Sequence, residues 1–262
     1  MTCPGTEEHG GVNRDSSMPY NETRRFYRLQ HQDRKGWVGF QVRYRETDLW
    51  VRAQRNLERE TFTAILNCRR QLERYIAEHP PFLKSLTPLP EDPLAPPLVK
   101  VMLFAARSAG VGPMASVAGA VAQEVALSLK PFSPSVIVEN GGDCYLDIRE
   151  ETTIGIYAGP HSPFSGNIGL RFEGSRFPLG ICTSSGTVGP SLSFGRADAV
   201  TVAAKDAALA DAAATAVGNL VKTPSHIEEA LERARTIPSL EGVLIVIKDK
   251  LGIWGNLEVA RL

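Results

Sequence analysis

The chain reads Ile181-Cys-Thr-Ser-Ser-Gly-Thr187 at a hydroxyl-rich turn, Ala199-Val-Thr-Val202 in an apolar strand and Leu209-Ala-Asp-Ala-Ala-Ala-Thr-Ala216 in an alanine-rich helix. The order of these three motifs decides how the fold is interpreted. Asp211 and Thr215 are four residues apart, so a helix presents both side chains on one face, one turn apart. Such a pair suits a hard cation such as Mg2+, or the metal on the phosphates of a nucleotide. The alternative is a structural helix, in which Asp211 caps the helix start and Thr215 bonds to its own backbone.

Composition excludes several classes of function. The 262 residues include 29 basic and 29 acidic side chains, and this balance argues against nucleic-acid or anionic-membrane partners. No apolar run reaches the length of a bilayer span, and the first 25 residues contain no apolar signal segment. The four cysteines show no CxxC spacing, which argues against a zinc site or a disulfide framework. We therefore predict a soluble, cytoplasmic globular protein. The motifs described below add a small-molecule ligand to this prediction.

The first part of the chain predicts hairpins and a helix. Residues 1–19 are polar and indicate a disordered lead, followed by a single domain over 20–262. Alternating apolar and basic residues predict strands over 26–31, 38–44 and 49–53, and helical apolar spacing predicts a helix over 57–78. Seven prolines within residues 80–97 predict a loop inside the domain.

A glycine-containing turn separates two predicted buried helices, over 98–107 and 114–129. The turn reads Gly110-Val-Gly-Pro-Met-Ala115 and matches the GxGxxA dinucleotide fingerprint, which requires a strand before it and a helix after it. A glycine that ends one helix and a proline that begins the next explain the same residues. We favour capping, because residues 105–108 continue the helical pattern.

The remaining pattern predicts an α+β layered fold with mixed or antiparallel sheets packed by helices. A β-branched strand over 135–139 ends in Asn140-Gly-Gly-Asp143, which is either a tight hairpin turn or an anion-binding concavity of backbone amides. Ser225 and Glu228 form a capping box for a helix ending near Arg235. Further strands are predicted over 144–149, 152–157, 168–172, 199–204, 243–247 and 253–259, with a helix over 206–218.

Taken in order, these motifs resemble the ApbE superfamily, the FAD:protein FMN transferases. The shared features are a small-residue helix from Ala115 to Ala120, the Glu139–Asp143 turn, the Thr-Ser-Ser-Gly turn, the Val-Thr-Val strand and the Asp211/Thr215 helix. Cys182-Thr-Ser-Ser-Gly186 and Ser191-Leu-Ser-Phe-Gly195 are similar to the short, cytoplasmic, uncharacterised branch of that superfamily. The resemblance to this branch covers most of residues 25–260, and that to the transferases about 110–220. It implies an ApbE-like layered fold.

The resemblance also implies a ligand site. A flavin nucleotide would contact two segments, and Mg2+ would lie on its diphosphate, held by Asp211 and Thr215. The ligand-contacting residues would be Asn140, Gly141, Gly142, Asp143, Thr183, Ser184, Ser185 and Gly186. Two departures argue against FMN transfer itself. Residues 112–119 lack the lysine of the transferases, and residues 186–196 lack their His-x-x-Asp-Pro stretch, with Pro190 where the short branch usually has His.

Cys182 leads to a second hypothesis. It is a candidate catalytic thiol, because the amides of the following turn can stabilise a thiolate. The branch's association with sulfur assimilation and homocysteine formation implies a protein that handles sulfide or persulfide. The alternative for Cys182 is a small buried apolar residue. A third hypothesis is a non-catalytic scaffold that forms a homo-oligomer through its hairpins, so the sequence leaves open whether the protein is an enzyme.

Overall fold

Strands rich in apolar residues form an eight-stranded antiparallel sheet at the centre of the molecule. The computed structural model describes residues 36–188 and 193–262, and Gly36–Leu262 form one unit. The predicted lead over 1–19, the predicted strand over 26–31 and Pro190 lie outside the described residues. The strands are β1 (Val38–Tyr44), β2 (Thr47–Ala53), β3 (Val136–Asn140), β4 (Asp143–Asp147), β5 (Thr152–Gly155), β6 (Ile168–Phe172), β7 (Leu179–Ser184), β8 (Ala199–Ala204), β9 (Leu240–Ile247), β10 (Lys250–Gly255) and β11 (Glu258–Arg261). The large sheet has the order β1-β2-β3-β4-β7-β8-β9-β10.

Helices cover one face of this sheet. They are α1 (Glu58–Glu78), α2 (Pro81–Lys84), α3 (Pro97–Ala109), α4 (Val117–Leu129), α5 (Ala207–Leu220) and α6 (Ile227–Arg235). Their apolar side chains and those of the facing strands form the larger hydrophobic core. The alanine-rich α5 packs directly on β7, β8, α3 and α4. This close packing is possible because small side chains let neighbouring backbones approach one another.

Strands β11, β6 and β5 form a three-stranded sheet in that order. Its apolar side chains form a second cluster with side chains of the large sheet. These large-sheet residues point away from the helices, because successive residues of a strand point to opposite faces. The largest fully buried members of the second cluster include Leu170, Phe172, Leu179 and Ile181. The molecule therefore has three layers: helices, the large sheet and the small sheet. This arrangement confirms the predicted α+β fold.

Several predicted element boundaries are corrected by the structure. Gly110 adopts a left-handed φ of 78° and donates its amide to the Ala106 carbonyl at 2.8 Å, so it ends α3. Capping therefore explains this turn, and the helix before it rules out the dinucleotide fingerprint. The proline-rich segment, predicted as a loop, contains the short helix α2. The predicted strand over 253–259 divides at Gly255, whose φ is 89°, and the chain passes from the large sheet to the small one.

The start of α6 also differs from the prediction. The capping box is formed by Thr223 and His226 at a 3-10 turn over Pro224–His226, and α6 begins at Ile227. The prediction placed the box two residues later, at Ser225. Within residues 36–188 and 193–262, no single helix has both the length and the apolar composition of a membrane span. Helix α3 and residues Pro113–Leu129 have this length and composition only when they are taken together, and the chain bends by 104° between the two segments.

Candidate functional site

Two carboxylates meet on the helix-covered face of the large sheet. Asp143 begins β4 and lies beside Cys182 of β7, and its Oδ1 accepts the Thr183 amide at 3.2 Å. Asp143 and Tyr145 share one face of β4, and Tyr145 belongs to the core under the helices. Asp211 of α5 is close enough to Asp143 to raise its pKa. The structure thus brings together residues that are 68 positions apart in the sequence.

Asp211 caps a neighbouring helix. Its Oδ2 accepts the Gly119 amide at 2.9 Å, and the Ala118 amide also hydrogen bonds to the carboxylate. Both amides belong to the first turn of α4, whose N–H groups have no partner within the helix. The cap of α5 itself is Asp206, whose Oδ1 accepts the Leu209 amide at 2.8 Å. The structural alternative in which Asp211 caps its own helix is therefore wrong.

The turn between β3 and β4 is a tight hairpin tied to α4. Gly141 and Gly142 have φ values of 71° and 112°, as a two-residue turn with both central residues left-handed requires. The Gly142 amide donates to Glu139 Oε1 at 2.9 Å, and Asn140 Nδ2 donates to the Ala118 carbonyl at 3.1 Å. Hairpin geometry thus accounts for both glycines, and it places Asp143 next to the start of α4.

Burial dominates the electrostatics of the carboxylate pair. Burial raises the pKa of Asp143 well above its usual range, and the charge of Asp211 raises it further. The pKa of Asp211 is raised to about 7, again by burial, while the Gly119 and Ala118 amides act in the opposite direction. The pair is costly to ionise fully, because two adjacent carboxylates repel each other in a poorly solvated place.

Cys182 is a buried apolar contact in this structure. Its side chain is 0% exposed, and Sγ donates a weak hydrogen bond to the Ala207 carbonyl at 3.4 Å. Burial and the neighbouring charges of Asp143 and Asp211 raise the pKa of the thiol well above its usual range. It lies within β7, paired with Val202 of β8, and not in the turn that the thiolate hypothesis requires. These features favour the structural interpretation of Cys182.

The four residues of the hydroxyl-rich turn do not share one face. Thr183 Oγ1 lies 2.9 Å from Thr201 Oγ1, and strand alternation puts both hydroxyls on the face opposite Cys182. Ser184 lies on the α5 side, because a Cβ built at Gly218 would be 3.7 Å from its Oγ. Ser185 Oγ accepts the amides of Thr187 and Val188, and the Gly186 amide donates to the Ala197 carbonyl, so both residues shape the loop.

Sequence reasoning missed two features of this region. The first-turn amides of α4 meet Asp211 at Gly119, and only the run of small residues there hinted at close packing. Asn219 continues the spacing of four that links Asp211 and Thr215, and this signal was present in the sequence. In the part of the chain that the structure describes, no group of three or more His, Cys, Asp or Glu side chains could hold a metal ion.

Comparisons with known proteins identify the family. The family described as AbpE bacteria matches residues 28–243. The UPF0280 protein MJ1526 of Methanocaldococcus jannaschii is 41% identical over 84% of this chain and 92% of its own length. The UPF0280 protein MK0206 of Methanopyrus kandleri is 41% identical over 80% and 88%. The chain therefore belongs to this uncharacterised ApbE-like family.

Solved structures show the same fold at low sequence identity. The ApbE protein of Thermotoga maritima is 13% identical with a TM-score of 0.53, over 82% of this chain and 96% of that protein. The flavin transferase ApbE of Vibrio cholerae is 12% identical with a TM-score of 0.50, over 83% and 96%. These similarities confirm the predicted ApbE-like fold.

Proposed function

We propose that this member of the ApbE-like family binds a flavin or related nucleotide through its diphosphate, together with Mg2+. The binding site would lie where Asp143, Asp211 and Thr215 meet the first turn of α4. The observation that carries the proposal is the pair of poorly solvated carboxylates, each with a raised pKa, at one place. The ApbE protein of Vibrio cholerae, whose fold this chain shares, is described as a flavin transferase.

The donor set fits a magnesium ion that is shared with phosphates. Mg2+ in nucleotide sites is usually held by one or two carboxylates, and substrate phosphates and waters complete its shell. The described residues offer two carboxylates here and the Thr215 hydroxyl on the same face of α5, and no larger acidic or histidine cluster. A cation would also relieve the repulsion between Asp143 and Asp211.

The residues of the chain would divide the work of binding. Asp211 would hold the cation while keeping α4 in place through the Gly119 amide. Asp143 would add its charge from the sheet, where the Thr183 amide fixes one of its oxygens. The bound cation supplies neutralisation of the diphosphate charge. Ser184, on the α5 side of the sheet, is the hydroxyl of the 183–186 turn that we assign to ligand contact.

FMN transfer to a protein is not part of the proposal. Residues 112–119 contain no lysine and residues 186–196 contain neither His nor Asp, so the groups that the transferases carry there are missing. The sulfide or persulfide hypothesis needs an accessible thiolate, and the burial of Cys182 gives no support for one. A non-catalytic scaffold remains the competing prediction, and it differs in having no ligand at Asp211.

Thermal unfolding with and without ligands tests the proposal. We expect FAD with Mg2+ to raise Tm, since a ligand at a hundred times its Kd stabilises the native state by about 2.7 kcal/mol. Asp211→Asn keeps the shape but removes the charge, so it should lose the Mg2+-dependent part of the shift. Asp249→Asn, in an exposed turn, is the matched control and should behave as the parent protein does. The proposal fails if FAD and ADP with Mg2+ both leave Tm unchanged, or if Asp211→Asn responds as the control does.

A further inference from the structure

The polar face of α5 extends beyond the carboxylate. From Ala207 to Gly218 every residue of this helix is buried except Asp211 and Thr215, and the half-buried Asn219 continues their spacing. The three side chains form one stripe, and eight residues of helix span about 12 Å. A polar stripe on an otherwise apolar helix is its least buried side. This side continues from Asp211 to the last turn of α5.

The segment around Phe194 lies against that last turn. The Phe194 amide donates to Asn219 Oδ1 at 2.9 Å, and the Arg196 amide donates to the Val221 carbonyl at 2.7 Å. A Cβ built at Gly195 would collide with the Gly218 carbonyl oxygen, so glycine is required for this close backbone approach. Asn219 thus fixes the backbone of Phe194 at the end of the stripe that is remote from Asp211.

The Phe194 side chain remains open to solvent although its backbone is fixed. It is 56% exposed, whereas Phe40, Phe82 and Phe172 are buried. An exposed aromatic ring offers a flat apolar face, and stacking of a nucleobase on such a ring contributes about 1–3 kcal/mol. The stripe thus has a charged end that suits phosphate and metal, and an aromatic end that suits a planar ring.

We propose that Phe194 is the residue that selects the ligand's ring, by stacking on it, and that Asn219 positions Phe194 for this contact. The inference rests on the proposed function, in which the diphosphate lies at the Asp211 end of the same stripe. FAD carries an isoalloxazine ring and an adenine at its two ends, with the diphosphate between them, and a nucleoside diphosphate carries its base and its phosphates at opposite ends. In each, a ribityl or ribose chain joins a planar ring to the diphosphate. A ligand of this shape meets both ends of the stripe, and a free diphosphate meets one.

Calorimetric titration of the full-length protein with FAD, and separately with inorganic pyrophosphate, both with Mg2+, tests the inference. Phe194→Ala should weaken FAD binding about tenfold, from the lost stacking, and change pyrophosphate binding less than about twofold. Phe194→Tyr should retain FAD affinity because it keeps the ring. Asn219→Ala should weaken FAD binding while leaving pyrophosphate binding in place. Phe132→Ala is the matched control, because this 44% exposed phenylalanine follows the opposite end of α4 and should leave both affinities unchanged.

The outcomes separate the two proposals. If Phe194→Ala binds FAD as tightly as the parent protein while Asp211→Asn does not bind it, the inference fails and the proposed function stands. Equal weakening of FAD and pyrophosphate by Phe194→Ala, or failure of Phe194→Tyr to keep FAD affinity, would also overturn the inference. If the parent protein binds neither FAD nor ADP in the presence of Mg2+, the proposed function fails and the inference fails with it.

Discussion

At the scale of single residues, two contacts of Asp211 have opposite effects on the ionisation of its carboxyl group. Its carboxylate stabilises the first turn of α4 through the Gly119 and Ala118 amides, and an ionised group does this best. Burial beside Asp143 penalises the same ionised form. The raised pKa of Asp211 shows that burial outweighs the helix contact. The chain therefore keeps a group that costs stability near neutral pH, as functional sites commonly do.

The pH dependence of stability follows from this pKa. Asp211 moves from a usual value of 3.8 to about 7 in the folded protein, so between these values the folded state holds a proton that the unfolded state has lost. The free energy of unfolding therefore falls as pH rises through this window, and the Asp211 contribution is fully present only below pH 3.8. Partial solvent access keeps the expected loss at about 1–2 kcal/mol.

Asp211→Asn should remove this loss, because the amide does not ionise. Relative to the parent protein, we expect the variant to gain about 1–2 kcal/mol between pH 4 and pH 8. Urea denaturation at the two pH values in the presence of EDTA measures it. Asp249→Asn should show no such gain, since the pKa of Asp249 is lowered, first by its hydrogen bond to Lys250. Parallel pH profiles for Asp211→Asn and the parent protein would contradict the assignment.

Thr61 offers a second test at this scale. Its hydroxyl is fully buried at the start of α1 and has no hydrogen-bond partner among the described residues. An unsatisfied buried polar group costs about 1–3 kcal/mol, so Thr61→Val, which keeps the shape, should stabilise the protein by about 1 kcal/mol. The matched control is Thr201→Val, because Thr201 is equally buried but bonds Thr183. Thr201→Val should destabilise by about 1 kcal/mol in chemical denaturation, and equal effects of both substitutions would contradict this account.

At the scale of elements, the site depends on how closely α4, α5 and β7 approach one another. Gly119 of α4 and Gly180 of β7 both face Ala207 at the start of α5, and a Cβ at either glycine would collide with that residue's backbone. Gln123 Oε1 accepts the Ala207 amide at 2.6 Å and fixes the same point. Because α5 starts wedged between a strand and a helix, Asp211 one turn later reaches the α4 amides.

The two helical glycines Gly119 and Gly218 provide a matched pair of substitutions. A Cβ at Gly119 would meet the Ala207 carbonyl and lie 2.9 Å from the Asp211 Cβ, whereas the nearest atom at Gly218 is 3.7 Å away. Gly119→Ala should therefore destabilise by about 2–3 kcal/mol through overpacking. Gly218→Ala should be neutral or stabilise by up to about 1 kcal/mol through the helix preference for alanine. Chemical denaturation measures both, and a Gly119→Ala variant as stable as Gly218→Ala would disprove the close crossing.

At the scale of the whole molecule, the local elements were readable from residue patterns, whereas the meeting of Asp143 and Asp211 was expected only from the family resemblance. Apolar spacing predicted α1 and the strands around residues 38–53, because each pattern is set by neighbouring residues. The order of the large sheet places β4 beside β7, and the capping of α4 by Asp211 joins residues 92 positions apart. The burial of Cys182 likewise depends on α5, so its local sequence left a reactive thiol and a small buried apolar residue both open.

From the three-layer architecture we predict which segments a bound ligand protects from amide hydrogen exchange. Four segments lie together on the helix side of the large sheet: the first turn of α4, the turn at 139–143, the end of β7 and the polar stripe of α5. The small sheet lies on the other side. Amides at Gly119, Gly142 and Thr183 already bond carboxylates, so they exchange through local opening.

FAD with Mg2+ should slow amide hydrogen exchange in all four of these segments together, because a ligand that binds only the closed site suppresses each local opening by the same binding free energy. Strand β6, in the small sheet, serves as the internal reference and should exchange at an unchanged rate. Asp211→Asn with the same ligand should lose the protection in every segment at once. Protection confined to one segment, or appearing equally in β6, would show that the four segments do not form one ligand site.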